Sequence, residues 1–120
     1  MKSIDSAIRL KRFKVKPDNH VDLIFETMTG QQFVTKVANA AFTGVAAILD
    51  KNDHERFHKS QLESGDIVPE SKLIWKQYEC GLGRLSLVRI DPLEDGGIRL
   101  AFSCIDTRIP LTGNLAGLFL

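Results

Sequence analysis

The chain has 120 residues, 43% apolar and 26% charged, with only four prolines and nine glycines. A chain of this length buries roughly two thirds of the surface it exposes when unfolded, so a single packed domain over 1–120 is expected and the composition excludes a disordered one. Sixteen basic against fifteen acidic residues leave a formal charge of +1, which gives no global pull toward nucleic acid or an anionic membrane; any such surface has to be local.

Two cysteines, Cys80 and Cys104, are too few for a disulfide framework, and each sits in an apolar segment where a reduced thiol packs as a small hydrophobe. The opening MKSIDSAIRLKRF lacks the roughly 7 to 15 consecutive apolar residues of a signal peptide, and no run approaches the ~20 of a membrane span. A cytoplasmic protein without membrane contact is expected.

The first patterned stretch, SAIRLKRFKVK at 6–16, alternates apolar and basic residues and changes phase at Lys11-Arg12, which predicts a bulged strand or two short ones. Pro17-Asp18-Asn19 predicts a turn. VDLIFET then sets Val21, Leu23 and Phe25 on one face, and beyond Thr29-Gly30 the segment QQFVTKV continues the alternation with Phe33, Thr35 and Val37. That is a hairpin with one buried face. In NAAFTGVAAILDKN the spacing of Phe42, Val45, Ala46 and Leu49 behind Asn39 as N-cap predicts a helix over 39–51 packed on the sheet. Gly44 weakens that helix by about 1 kcal/mol relative to alanine and marks a close approach.

In NDHERFHKSQLESG, Asn52 with Glu55 forms a capping-box pattern and Ser64-Gly65 a stop, so a short polar surface helix around 53–63 is expected, anchored by Phe57 and Leu62. LIWKQYEC, RLSLVRI and IRLAFSCI read as a meander of three strands, the last two joined by the turn-rich DPLEDGG, with Trp75, Tyr78 and Phe102 filling the core. Gly81-Leu82-Gly83 lacks the third glycine and the helix of a dinucleotide loop and reads as a turn. The fold class is therefore α+β: an antiparallel sheet of about five or six strands in the order βββ-α(α)-βββ, with one packed helix and one polar one. A weak internal duplication is visible, in which Val21, Leu23 and Phe25 match Ile98, Leu100 and Phe102 while Asn39 matches Asn114.

Three features carry chemistry. His54-Glu55-Arg56-Phe57-His58 fits H-E-x-x-H, in which two imidazoles on one helix face hold zinc and the glutamate is general base; Glu63, Asp66 or Glu79 could supply a third ligand. Its surroundings argue against a zinc hydrolase. Arg56, Asp53, Lys51 and Lys59 suit a solvated helix, whose anions lie in the first turn and whose Glu55 and Lys59 form an i,i+4 pair, and a buried arginine beside the ion would be costly. His54 and His58 remain metal candidates of the lowest rank, and no cofactor is expected. The second feature is the basic run Arg9, Lys11, Arg12, Lys14 and Lys16, where Arg12, Lys14 and Lys16 share a face that could follow phosphates and Phe13 could stack on a base; a lysine-rich edge strand is the plainer reading. Arg84, Arg89, Arg99 and Arg108 could in addition line one sheet face as an anion-binding surface. The third is the apolar tail PLTGNLAGLFL, which needs a cover in its own fold or on another chain and makes Leu115, Leu118, Phe119 and Leu120 interface candidates. No catalytic constellation emerges. The leading expectation is a non-enzymatic interaction or regulatory module acting through protein contacts as a homo-oligomer, ahead of a nucleic-acid binder using Arg9–Lys16.

Overall fold

The computed structural model describes residues 12–111 and 117–119. Nine strands, β1 (Phe13–Lys14), β2 (Asp22–Glu26), β3 (Gln32–Ala41), β4 (Gly44–Leu49), β5 (Ile67–Val68), β6 (Glu70–Trp75), β7 (Tyr78–Gly81), β8 (Leu85–Pro92) and β9 (Ile98–Cys104), build one antiparallel sheet. Its spatial order is β5-β8-β9-β4-β3-β2-β6-β7, with β1 laid against β3. A 3-10 turn at Lys51–Asp53 runs into the helix α1 (His54–Ser60) between β4 and β5.

The predicted β2–β3 hairpin forms, with Leu23 opposite Thr35 and Phe25 opposite Phe33. Strict alternation sends Leu23, Phe25, Phe33, Thr35 and Val37 inward. The buried Thr35 hydroxyl donates to the Leu23 carbonyl at 2.8 Å, so the polar group placed in the core is satisfied.

A single sheet with one short helix can enclose a core only by curling. Phe25 on β2 and Phe102 on β9 show the curl: their rings lie 5.1 Å apart although β3 and β4 separate the strands, a gap of about 14 Å in a flat sheet. Ser71 on β6 extends the pairing with the chain leaving β7, donating from its hydroxyl to the Gly83 carbonyl at 2.8 Å while its own carbonyl accepts from Leu82 N–H at 2.9 Å. The inner face thus covers itself, in a barrel-like arrangement, and α1 adds one buried side chain, Phe57.

Several expectations are corrected here. Residues 39–51 are not a helix. Asn39–Ala41 prolongs β3, Phe42 and Thr43 make a two-residue turn, and β4 returns with Ala40 opposite Val45 and Ala41 opposite Gly44. Five of the six residues of β4 are buried, so its outer face is lined with small side chains rather than polar ones and the period-2 signal vanishes. LIWKQYEC is a hairpin, β6 to β7, turning at Lys76-Gln77 with Lys76 at φ 54°. The strands number nine instead of five or six. Asp50, not Asn52, caps the helical segment by accepting from Asn52 N–H at 2.8 Å, and the helix stops at Gln61 in the left-handed conformation, short of Ser64-Gly65. Tyr78 is part-exposed and stacks on the buried Trp75, whose indole N–H has no hydrogen-bond partner. In the proposed duplication Leu23 with Phe25 and Leu100 with Phe102 do face inward alike, but the expected helix over 39–51 is absent and Asn114 lies outside the described residues.

Candidate functional site

The basic first strand is where sequence and structure meet. Arg12, Lys14 and Lys16 are all exposed on one side, while Phe13 and Val15 turn to the core and are half-buried; Arg9 and Lys11 lie outside the described residues. Phe13 is therefore no free stacking platform, since its ring meets Phe42 edge-on at 6.4 Å. Lys14 pairs with Asn39 and Phe13 with Ala40, beyond a β-bulge between Val37 and Asn39 that divides β3 into a half pairing β2 and a half pairing β1. The bulge lets Asn39, 8% exposed, accept a hydrogen bond at its Oδ1 from Arg12 Nη1 at 3.1 Å. Beside them Gly44 stands where only glycine fits, because the backbones approach closely: a Cβ there would stand 2.6 Å from the Phe102 carbonyl oxygen and 3.8 Å from Arg12 Nη2.

Charge sets this corner apart from the rest of the surface. The described ion pairs are His20–Asp22, Arg56–Asp53, Lys59–Glu55, Lys72–Glu79, Arg84–Asp106 and Arg89–Asp91, and none involves Arg12, Lys14, Lys16, Lys36, Arg99 or Arg108. Arg12 is oriented by a neutral carboxamide, and among the described residues no carboxylate pairs with it. A planar guanidinium fixed through one nitrogen, with its remaining N–H groups free, is suited to a phosphate oxygen pair. Asn39 was expected to cap a helix and Gly44 to sit inside one. The one signal that could have revealed them is that the alternation of QQFVTKV meets no glycine or proline before Gly44.

Arg84 is held quite differently. Its Nε and Nη2 donate to Asp106 Oδ1 at 3.0 and 2.7 Å, and its backbone N–H donates to Oδ2 at 2.9 Å. This grip lowers the Asp106 carboxyl below its ordinary pKa and raises that of the guanidinium. The thiols of Cys80 and Cys104 are free; burial, helped by the neighbouring Cys80, pushes Cys104 up to about 11, so both are held as thiols.

The HERFH segment forms the first five residues of α1. His54 and His58 are exposed, and His54 Nδ1 lies 3.1 Å from the Gly96 carbonyl, beside a shallow groove of about 230 Å³ whose other walls include Phe57, Ile90 and Pro92. Arg56 lies with its guanidinium 4.1 Å above the Phe33 ring and donates to the Gln32 carbonyl at 2.8 Å, and Glu55 meets Lys59 at 3.1 Å. Two of the three carboxylates considered as a third ligand are used elsewhere, Glu79 by Lys72 at 3.2 Å and Asp66 by the Glu63 N–H at 2.9 Å. Among the described residues no group of three or more His, Cys, Asp or Glu could hold a metal ion.

The tail finds its cover in its own fold. Leu118 and Phe119 are 7% and 6% exposed, Phe119 bridges to Val15, and the Leu118 carbonyl accepts from Lys16 N–H at 2.8 Å. These two side chains therefore leave no apolar surface that demands a second chain, while Leu115 and Leu120 lie outside the described residues. Among the described residues no helix is long and apolar enough to cross a membrane.

Strand order, the curled sheet and an arginine-bearing edge at β1 define an architecture found in known proteins: the fold is PilZ-like. Among solved structures the chain is similar to the PilZ domain of Escherichia coli YcgR with c-di-GMP, at 12% identity and TM-score 0.60 over 90% of this chain and 82% of that one. It is similar too to Escherichia coli YcgR in complex with c-di-GMP (13%, 0.60, over 80% of this chain and 37% of that one) and to the K. pneumonia MrkH–c-di-GMP complex (11%, 0.61, 78% and 41%). The chain thus spans well under half of the YcgR and MrkH chains in those complexes. No family model matches the sequence, and no curated protein is found to resemble it.

Proposed function

We propose that this chain is a non-enzymatic regulatory module that binds a cyclic dinucleotide second messenger on the face built by Arg12, Asn39 and Gly44. The observation that carries this reading is the Arg12 guanidinium, which meets no carboxylate among the described residues and is fixed by Asn39 at 3.1 Å beside Gly44, which has no side chain to crowd it. A phosphodiester offers the paired oxygens such a fork binds, and its negative charge supplies what the site lacks. Support also comes from the similar structures, each of which is with c-di-GMP. Binding is then transmitted to a protein partner, with self-association and a cytoplasmic setting as parts of the same proposal. Isothermal titration with c-di-GMP tests it: the native chain takes up ligand and Arg12→Ala loses it, whereas a native chain giving no heat overturns the reading.

A second reading, contact with nucleic acid through the same strand, is favoured by one observation: Lys14 and Lys16 extend the exposed cationic side beyond Arg12. MrkH, one of the similar proteins, is described as a c-di-GMP-dependent transcription regulatory factor. Fluorescence anisotropy with single-stranded and duplex oligonucleotides at low salt decides it; affinity must fall as salt rises and must be lost in Lys14→Glu, Lys16→Glu.

A further inference from the structure

The outer face of the sheet carries positive charge well beyond Arg12. The register makes cross-strand neighbours of Asp22, Lys36, Ile48, Arg99 and Asp91, on β2, β3, β4, β9 and β8 in turn. In the adjoining row Lys14, Asn39, Ala46 and Ala101 follow one another across β1, β3, β4 and β9. Both carboxylates of the first row are already engaged: Asp22 by His20 at 2.7 Å and Asp91 by Arg89 at 3.0 Å. Lys36 and Arg99, flanked by them in the sheet, form no ion pair. Arg99 is the notable one, because its side chain is half-buried, so its stem lies on the sheet, and the carboxylate directly opposite it has been taken by another arginine. On the outward face between Arg99 and Gly44 the residues of β9 and β4 are small, Ala101, Ser103 and Ala46. One strand spacing and four residues along β9 put the Cα atoms of Arg99 and Gly44 roughly 14 Å apart, a distance two converging arginine side chains reduce to that of a small ligand.

We infer that Arg99 is a second anion-contacting residue of the site, so that a ligand held by Arg12 extends across β4 onto β9 and presents its other phosphate there. The inference rests on the cyclic dinucleotide reading above and deepens it: a ring carrying two phosphates engages both arginines, whereas a mononucleotide engages one. Its binding determinant is thus drawn from opposite ends of the sequence, brought together by the β3–β4–β9 register.

Titration of the native chain, Arg99→Ala, Arg99→Lys and Arg12→Ala with c-di-GMP and with GMP, each at low and moderate salt, tests it. Arg99→Ala is expected to weaken c-di-GMP by about tenfold or more and to flatten its salt dependence, while GMP affinity and the melting temperature stay as in the native chain. Arg99→Lys restores part of the loss. If Arg99→Ala binds c-di-GMP like the native chain while Arg12→Ala does not, the inference falls and the cyclic dinucleotide reading stands. Equal weakening of both ligands also overturns the inference, since it shows Arg99 acting on the first phosphate or on the fold. A native chain that binds no c-di-GMP removes both.

Discussion

Arg12 and Arg84 are both exposed, and each lies in a loop beside a strand, yet the fork of Arg84 is taken by a carboxylate and, among the described residues, that of Arg12 is not. Arg84 spends its fork on Asp106, which receives three of its N–H groups and is itself held below the usual carboxylate range. Arg12 donates once, to a carboxamide without charge. Exposure is thus a poor guide to which arginine binds an anion. The charge of the partner decides, because an ion pair neutralises the guanidinium while an amide merely aims it.

The comparison breaks most sharply by truncation. Arg12→Ala is expected to lower c-di-GMP affinity by about 100-fold and Arg84→Ala by less than about threefold, read by titration calorimetry; equal losses would erase the distinction between the two arginines. Next in size, Gly44→Val drives a side chain into the Phe102 carbonyl, 2.6 Å from the Cβ position, and should cost about 1–3 kcal/mol in urea unfolding as well as crowding Arg12. The closed pair sharpens through pH. Asp106 has a lowered folded pKa, so its contribution to stability is present above the ordinary value of 3.8 and is lost as pH falls through the lowered one. The native chain should therefore melt above Arg84→Ala at neutral pH, and the two curves should converge in acid. The smallest expected effect is chemical: with its pKa pushed up to about 11, Cys104 should react with iodoacetamide at pH 8 several-fold more slowly than a free thiol, and native and denatured rates compared by mass spectrometry check it.

The parts of the fold legible in the sequence are those with one wet face. In β2 and the first half of β3, polar residues alternate with Leu23, Phe25, Phe33 and Val37, and the pleat can be read directly from the sequence. Legibility ends at Asn39, where the outer face becomes Ala41, Gly44 and Ala46; a strand with small residues outside and apolar ones inside imitates the buried stripe of a helix. The tight turns at Phe42-Thr43 and Lys76-Gln77 use none of the usual turn residues, so two hairpins were hidden, one as a helix and one as a single strand. For the site, the sequence singled out Arg12 and its exposed face because basic residues in alternation are conspicuous. It hid Asn39, and offered Arg99 only as one of four arginines that could line a sheet face, because their places relative to Arg12 depend on pairing partners distant in the chain, information that a local pattern does not contain.

The bridge between Val15 and Phe119, with the Leu118 carbonyl bonded to Lys16 N–H, has a mechanical meaning as well as a packing one. It ties the strand that follows Arg12 to the last described residues, so entry to the fold and exit from it share one knot. A ligand that tugs on Arg12 therefore loads both strands of that knot together. Whatever tension it applies reaches the two flanks of the domain at a single point, as a latch rather than as a wave through the core.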